Sequence, residues 1–204
     1  ACVGSCVLPF LERLGYDVPL YDFRLPGVTQ MSCDVHKYGY ATKGASVILH
    51  RNADWVWLQL FVYESWPSGL YGTPTVAGAR PAGPIAAAWS VMNYLGMDGY
   101  LELMRGLMAT TAKIRAGIEA ISELSIMGNP IGPLLTFTSD VIDTYAVCDL
   151  MDDRGWNLDR NTNPNGLHMM ISPLHEKYAD EFLSDLRWAV ANHGESRGIE
   201  ARYN

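Results

Sequence analysis

Apolar positions in the first half of the chain form short blocks, and residues typical of turns separate these blocks. A helical pattern over residues 10–14 ends at Gly15, since glycine commonly follows the last residue of a helix. The apolar block 45–49 follows a polar run, and we predict buried strands on both sides of that run. The aromatic stretch 55–62 has the composition of a further strand, which we expect to pack in a core.

The second half of the chain begins with helical periodicity. Residues 85–95 predict an apolar helix, residues 96–99 interrupt it, and residues 100–122 carry apolar side chains at near-helical spacing. Beyond residues 128–130 the pattern changes to strand, helix, strand, strand and helix. The five segments are Leu134–Phe137, Val141–Met151, Trp156–Leu158, Met169–Ile171 and Tyr178–Val190. This order predicts a small α/β unit at the end of the chain.

Composition limits the classes of function. The 204 residues are 49% hydrophobic and 18% charged with a net charge of -7, which is typical of a globular chain and argues against general attraction to nucleic acid or anionic membrane. Apolar runs stay well short of the roughly 20 residues that span a bilayer. Four cysteines lack the paired spacing of a zinc site, so we expect reduced thiols, no metal and a cytoplasmic compartment. These cysteines are Cys2, Cys6, Cys33 and Cys148.

The polar run Ser32–Gly44 holds two lysines between the predicted strands. Lys37 directly follows His36, and Lys43 comes six residues later. A lysine amine can form a Schiff base with an aldehyde, and a lysine can also bind a phosphate as a point charge. The alternative is that such a lysine is an ordinary solvated surface residue. Polar side chains in a tight connection between strands, however, often have a functional role.

A second loop, residues 69–84, is rich in glycine and other small residues. Its backbone amides can approach an anion closely. Composition alone favours the simpler interpretation, a turn that lets the following apolar segment begin a helix.

These two segments resemble pyridoxal-phosphate enzymes of the aspartate-aminotransferase fold. Asp34–Leu49 is similar to the cofactor-lysine segment of the group II decarboxylase family, which contains amino-acid decarboxylases and sphingosine-1-phosphate lyase. Tyr71–Pro81 is similar to the second characteristic segment of the lyase. The resemblance implies an α/β fold of type I, with the C-terminal part of the large domain at 1–99, a connecting helix at 100–122 and a small C-terminal domain at 123–204.

The same resemblance implies that the chain is the C-terminal portion of a longer polypeptide. The aspartate that pairs with the pyridine nitrogen of the cofactor would then precede Ala1.

The resemblance assigns pyridoxal 5'-phosphate as the cofactor and gives roles to individual residues. Lys37 is the catalytic Schiff-base lysine, Cys2 lies against the pyridine ring, and Asp34 is among the cofactor-binding residues. His36 contacts the cofactor phosphate or, as an alternative, orients the loop through a backbone hydrogen bond.

The second segment implies an interface. Gly78 and Ala79 correspond to positions whose backbone reaches the cofactor phosphate of a neighbouring subunit, so we expect a homodimer. The family often has serine where this chain has Ala79, and a backbone contact survives that difference. Arg80 is expected only to anchor the loop.

The resemblance to the lyase implies a phosphorylated sphingoid base as the substrate, and Lys43 favours it over the amino acid of a decarboxylase, since Lys43 offers a cation for a remote phosphate dianion. The implied reaction is a retro-aldol cleavage to a fatty aldehyde and phosphoethanolamine. A pyridoxal-phosphate amino-acid decarboxylase and a non-catalytic relative are the alternatives. An exposed loop lysine is the alternative for Lys43 itself.

Overall fold

The computed structural model describes residues 2–198 of the chain. Two compact units divide it, Ala1–Leu101 and Glu102–Asn204. Both contain helices and strands, in agreement with the predicted α/β class. The domain limits at 99 and 122 stay a prediction.

Short elements make up the first unit. They are a 3₁₀ turn at Gly4–Cys6, helix α1 at Leu8–Arg13, strands β1 at Gln30–Cys33 and β2 at Val47–His50, helix α2 at Ala53–Gln59, strands β3 at Phe61–Trp66 and β4 at Gly69–Thr73, and the beginning of helix α3 at Ala82–Glu119. Strand β1 pairs with β2 and strand β3 with β4, both antiparallel. The polar run with the two lysines therefore connects the two strands of one ribbon.

The strands flanking that run exist as predicted, but the prediction that they are buried is wrong. Val47, Ile48 and Leu49 expose 41%, 47% and 46% of their surface. A ribbon of two strands buries side chains only where another layer covers it. An apolar block in the sequence indicates that a strand forms, whereas burial of its side chains depends on whether a second layer covers the strand.

The aromatic stretch differs from its prediction in both structure and burial. Its first part is helix α2, which begins after Asn52 in extended conformation and has Asp54 in its first turn, where a carboxylate interacts favourably with the helix dipole. Trp57 is 69% exposed and Phe61 in β3 is 56% exposed, so the expected core packing is wrong. The hairpin β3–β4 is again only two strands wide.

A small core anchors the lysine loop within the first unit. The Tyr100 hydroxyl donates to the Gly39 carbonyl at 2.9 Å, and the Tyr100 ring stacks on Phe10 at 5.0 Å between centroids. Other fully or nearly fully buried residues here are Val7, Leu11, Val35 and Tyr38. The loop backbone is thus fixed to α1 and to the end of the first unit.

Helix α3 is interrupted at Gly96, whose φ of 58° and ψ of -171° are not helical. Glycine adopts positive φ without the steric cost that a Cβ brings. The predicted interruption between two helices is confirmed at Gly96, but the prediction is wrong for residues 97–99, which are already helical.

The second unit continues α3 and adds an antiparallel sheet with two helices. The strands are β5 at Ser125–Ile126, β6 at Leu134–Thr138, β7 at Asp159–Asn161 and β8 at Gly166–Met170, and the helices are α4 at Thr144–Asp153 and α5 at His175–Asn192. The sheet order is β5-β6-β8-β7. Fully buried side chains of this unit include Ile118, Phe137, Met151, Leu167 and Leu186. No helix within residues 2–198 is both long and apolar enough to cross a membrane.

The predicted strand at Trp156–Leu158 is wrong by three residues, because β7 begins at Asp159. The Trp156 ring instead packs edge-on against Phe182, and its Nε1 donates to Asp185 at 2.8 Å. The aromatic residue therefore anchors helix α5 and precedes the strand.

Candidate functional site

The lysine loop is a tightly hydrogen-bonded turn. The Lys37 amide donates to Asp34 O, the Tyr40 amide to Lys37 O and the Ala41 amide to Val35 O, all at 3.0 Å. Tyr40 has a φ of 59°, in the left-handed region that non-glycine residues adopt at a cost. The turn holds Lys37 in a fixed backbone position.

Three side chains meet at the Lys37 amine. Lys37 Nζ donates to Cys2 Sγ at 3.2 Å and lies 3.4 Å from Asp34 Oδ2. The Lys37 side chain is 32% exposed, so a small molecule can reach its amine. The structure therefore brings together Lys37, Cys2 and Asp34, which the sequence places 35 residues apart at most.

Ser46 extends this group and was missed in the sequence. Its Oγ donates to Asp34 Oδ1 at 2.9 Å, so one carboxylate is held by Ser46 on one oxygen and by Lys37 on the other. The signal in the sequence was a single hydroxyl inside the apolar block 45–49.

These contacts shift two pKa values. The hydrogen bond to Cys2 and the nearby Asp34 carboxylate raise the pKa of Lys37, although burial acts in the opposite direction. Burial pushes the pKa of Asp34 upward, but hydrogen bonds from Ser46 and Lys37 outweigh it and leave that pKa below its ordinary value. The resting pair is thus an ammonium beside a carboxylate.

His36 ties the loop to the strand that follows. Its Nδ1 lies 3.3 Å from the carbonyl oxygen of Ala45, a contact in which Nδ1–H donates. This contact is the loop-orienting alternative for His36, and contact with a cofactor phosphate stays a prediction. His36 also lines a cavity of about 610 Å³ with Ser46, Thr75 and Arg80.

Lys43 lies exposed on the same loop, and within residues 2–198 its amine has no ion-pair partner. The next residue, Gly44, has a φ of 115°, and a Cβ there would lie 2.8 Å from Pro84 Cγ. Gly44 therefore lets the loop pack against the start of α3 while Lys43 remains open to solvent. Its role toward a substrate phosphate stays a prediction.

The second loop is shorter than the predicted 69–84, because strand β4 takes Gly69–Thr73 and helix α3 begins at Ala82. The remaining loop is closed by its own hydrogen bonds. The Gly78 amide donates to Thr75 O at 3.1 Å, and the Thr75 hydroxyl donates to Gly78 O at 3.3 Å. Gly78 has a φ of 65°, as a tight turn requires, and Ala79 is exposed. This geometry matches the simpler turn interpretation, and contact of Gly78 and Ala79 with a cofactor phosphate stays a prediction.

Replacing Asp34 by asparagine is expected to lower the pKa of Lys37, because the carboxylate that stabilises its ammonium is removed. A larger fraction of the amine is then neutral at any pH below that pKa, so acetylation of Lys37 in the cofactor-free protein should become faster. The measurement is the acetylation rate of Lys37 against pH by peptide mass spectrometry. Ser46→Ala should give a smaller change in the same direction. An unchanged Lys37 profile in Asp34→Asn, read against Lys113 as internal reference, contradicts the role given to Asp34.

No protein-family model matches the chain. The chain is 43% identical over 190 residues to sphingosine-1-phosphate lyase of Dictyostelium discoideum, covering 93% of this chain and 36% of that protein. It is 40% identical over 192 residues to the protein of that name from Saccharomyces cerevisiae, covering 93% of this chain and 33% of the yeast protein. The chain thus spans about a third of the length of these curated relatives.

Solved structures show the same relationship. A sphingosine-1-phosphate lyase from Burkholderia pseudomallei matches with a TM-score of 0.89 and 40% identity, over 94% of this chain and 44% of that structure. Glutamate decarboxylase from Lactobacillus brevis matches with a TM-score of 0.76 and 19% identity, over 98% of this chain and 47% of that structure, a likeness of fold alone.

Proposed function

Because this chain belongs to the family of pyridoxal-phosphate enzymes that contains the sphingosine-1-phosphate lyases, we propose that the natural protein carrying it cleaves sphingosine 1-phosphate to a fatty aldehyde and phosphoethanolamine. The observation that carries the proposal is the Lys37 amine, reachable from solvent and 3.4 Å from Asp34. It lies in a chain 43% identical to a protein of that name.

The residues around Lys37 fit pyridoxal phosphate by their chemistry. A primary amine on a rigid turn can bond covalently to an aldehyde, and the small side chain of Cys2, whose sulfur lies 3.2 Å from that amine, can pack against the face of an aromatic ring. When bound, pyridoxal phosphate supplies that aldehyde and a ring that takes up the electrons of the bond that breaks. Lys37 would hold it, and Cys2 would lie against it.

The other residues of the group act on Lys37. Asp34 holds the amine in place, Ser46 orients the Asp34 carboxylate, and His36 fixes the loop to Ala45. Whenever it is not bonded to the cofactor, the Lys37 Nζ could carry a proton, and Asp34 would favour the charged form of that amine.

Lys43 is proposed to bind the substrate phosphate. Lys43→Ala is expected to raise KM for sphingosine 1-phosphate about tenfold or more, because a hydrogen bond to a charged group contributes ~1.5–3 kcal/mol. Affinity for pyridoxal phosphate should change little. Steady-state kinetics and cofactor titration of the same variant measure the two effects, and Lys43→Arg, which keeps the charge, is the matched control. A KM equal to that of the wild type in Lys43→Ala excludes this role.

We also propose that the enzyme is a homodimer that works in the cytoplasm. The loop at Gly78 and Ala79, of which Ala79 is exposed, supports a site completed by a second subunit. Four free cysteines support a reducing compartment.

The experiment that tests the function compares products. The complete natural protein with pyridoxal phosphate is incubated with sphingosine 1-phosphate and, separately, with amino acids. Fatty aldehyde and phosphoethanolamine in equal amounts are the expected products. Carbon dioxide from an amino acid, with no aldehyde from the phospholipid, would favour a decarboxylase instead.

A further inference from the structure

Two cysteine sulfurs lie next to each other beside the lysine loop. Cys6 Sγ and Cys33 Sγ are 3.2 Å apart, although the residues are separated by 27 positions in sequence. Cys6 ends the 3₁₀ turn and Cys33 ends strand β1, and both side chains are half-buried. A disulfide needs about 2.05 Å between the sulfurs, roughly 1.15 Å less than this separation.

The backbone on both sides of the pair is already fastened. The hydroxyl of Ser5, the neighbour of Cys6, donates to the carbonyl of Ser32, the neighbour of Cys33, at 2.5 Å. This hydrogen bond links the turn to the strand directly beside the two cysteines, and their sulfurs are already in contact.

The two thiols differ in reactivity. The hydrogen bond with Cys6 and a further one with Ser5 lower the pKa of Cys33 to about 7, against burial and the Asp34 charge. The hydrogen bond with Cys33, burial and the charges of Cys33 and Asp34 raise the pKa of Cys6. Cys33 is therefore the more readily ionised thiol of the pair, and Cys6 stays protonated more easily.

Cys33 is also reachable. It lines a cavity of about 540 Å³ together with Ser5, Phe23, Met31 and Leu49. A molecule as small as hydrogen peroxide fits this space, whereas Cys148 in the second unit is fully buried.

We propose that Cys33 and Cys6 are a peroxide-reactive cysteine and its resolving partner, which together form a reversible disulfide. The Cys33 thiolate attacks one oxygen of hydrogen peroxide, the O–O bond breaks, and the departing hydroxide takes up a proton, leaving Cys33 as a sulfenic acid and one water. The Cys6 sulfur then attacks the Cys33 sulfur, the S–O bond breaks, and the hydroxide leaves with the proton of Cys6 as a second water. Two thiols are oxidised and one peroxide is reduced to two waters.

The disulfide protects Cys33 from irreversible oxidation. A sulfenic acid without a partner thiol oxidises further to sulfinic acid, which is irreversible by thiols. Capture by Cys6 keeps Cys33 recoverable. Because Cys33 directly precedes Asp34, this capture protects the strand that leads into the Lys37 loop.

The test is peptide mapping of the complete natural protein after exposure to an equimolar amount of hydrogen peroxide and alkylation of the remaining thiols. We expect the tryptic peptides that contain Cys6 and Cys33 to be joined, and dithiothreitol to separate them. Cys2 shares the tryptic peptide of Cys6, so Cys2→Ser must keep the link. Cys148→Ser, the matched control in the second unit, must keep it too.

A variant without the resolving cysteine tests the first step, the oxidation of Cys33, separately from disulfide formation. Cys6→Ser is expected to leave Cys33 as a sulfenic acid that dimedone traps, and as a sulfinic acid at higher peroxide. Loss of the link in Cys2→Ser, or Cys6 and Cys33 remaining alkylated after peroxide treatment of the wild type, overturns the proposal.

Discussion

Lys37→Ala is expected to abolish lyase activity and the visible absorption of the bound cofactor together. The reason is covalent, because alanine leaves no amine to bond with the aldehyde of pyridoxal phosphate, and the neighbouring Asp34 and Cys2 have no nucleophilic nitrogen. The measurement is the absorption spectrum of the complete natural protein after addition and removal of excess cofactor, with product formation from sphingosine 1-phosphate on the same sample.

Two control variants make this result specific. Lys37→Arg keeps a positive charge near Asp34 and should fail as completely as alanine, since a guanidinium does not lose its proton in proteins. Lys113→Ala removes an amine that pairs with Asp180 in the second unit, and it should leave both readouts unchanged. A visible band in Lys37→Ala equal to that of the wild type contradicts the assignment of Lys37.

The second large effect is expected from Gly39→Ala. A Cβ at Gly39 would lie 2.4 Å from the Val35 carbonyl oxygen and 2.9 Å from Val35 Cα, so backbone atoms of the lysine turn must move. Overpacking of this kind costs about 1–3 kcal/mol. We therefore expect a lower free energy of unfolding and weaker cofactor binding, measured by denaturant titration and by cofactor titration.

Gly27→Ala is the matched control for this prediction. A Cβ at Gly27 has no neighbouring atom within 4 Å, and its φ lies outside the left-handed region. This variant should unfold at the wild-type denaturant concentration. If Gly39→Ala unfolds there as well and binds cofactor normally, the turn is not as tightly packed as described.

Several local elements of the fold could be predicted from the sequence, but the burial of their side chains could not. The break at Gly96 lies where two glycines stand three residues apart, although Gly99 itself is helical, and the strands around the lysine run follow from apolar blocks. Exposure of Ile48 depends on whether another layer covers a two-stranded ribbon, which no local pattern contains. The helix at Ala53–Gln59 was missed because aromatic composition outweighed the signals at its first turn.

The candidate site shows the same division. Lys37 was identifiable because its segment resembles a known one, and Cys2 entered by the same route. The Ser46 hydroxyl and the Cys6–Cys33 contact depend on how the chain folds back on itself, the latter across 27 positions. A pattern of neighbours in sequence cannot report such pairs.

The most direct measurement of the central claim is the position of the cofactor on the chain. Borohydride reduction of the complete natural protein with bound pyridoxal phosphate makes the cofactor–lysine bond permanent, and peptide mass spectrometry then locates it. The chain has four lysines, Lys37, Lys43, Lys113 and Lys177. The phosphopyridoxyl group is expected on Lys37. Its presence on any other lysine, with Lys37 unmodified, would contradict the account.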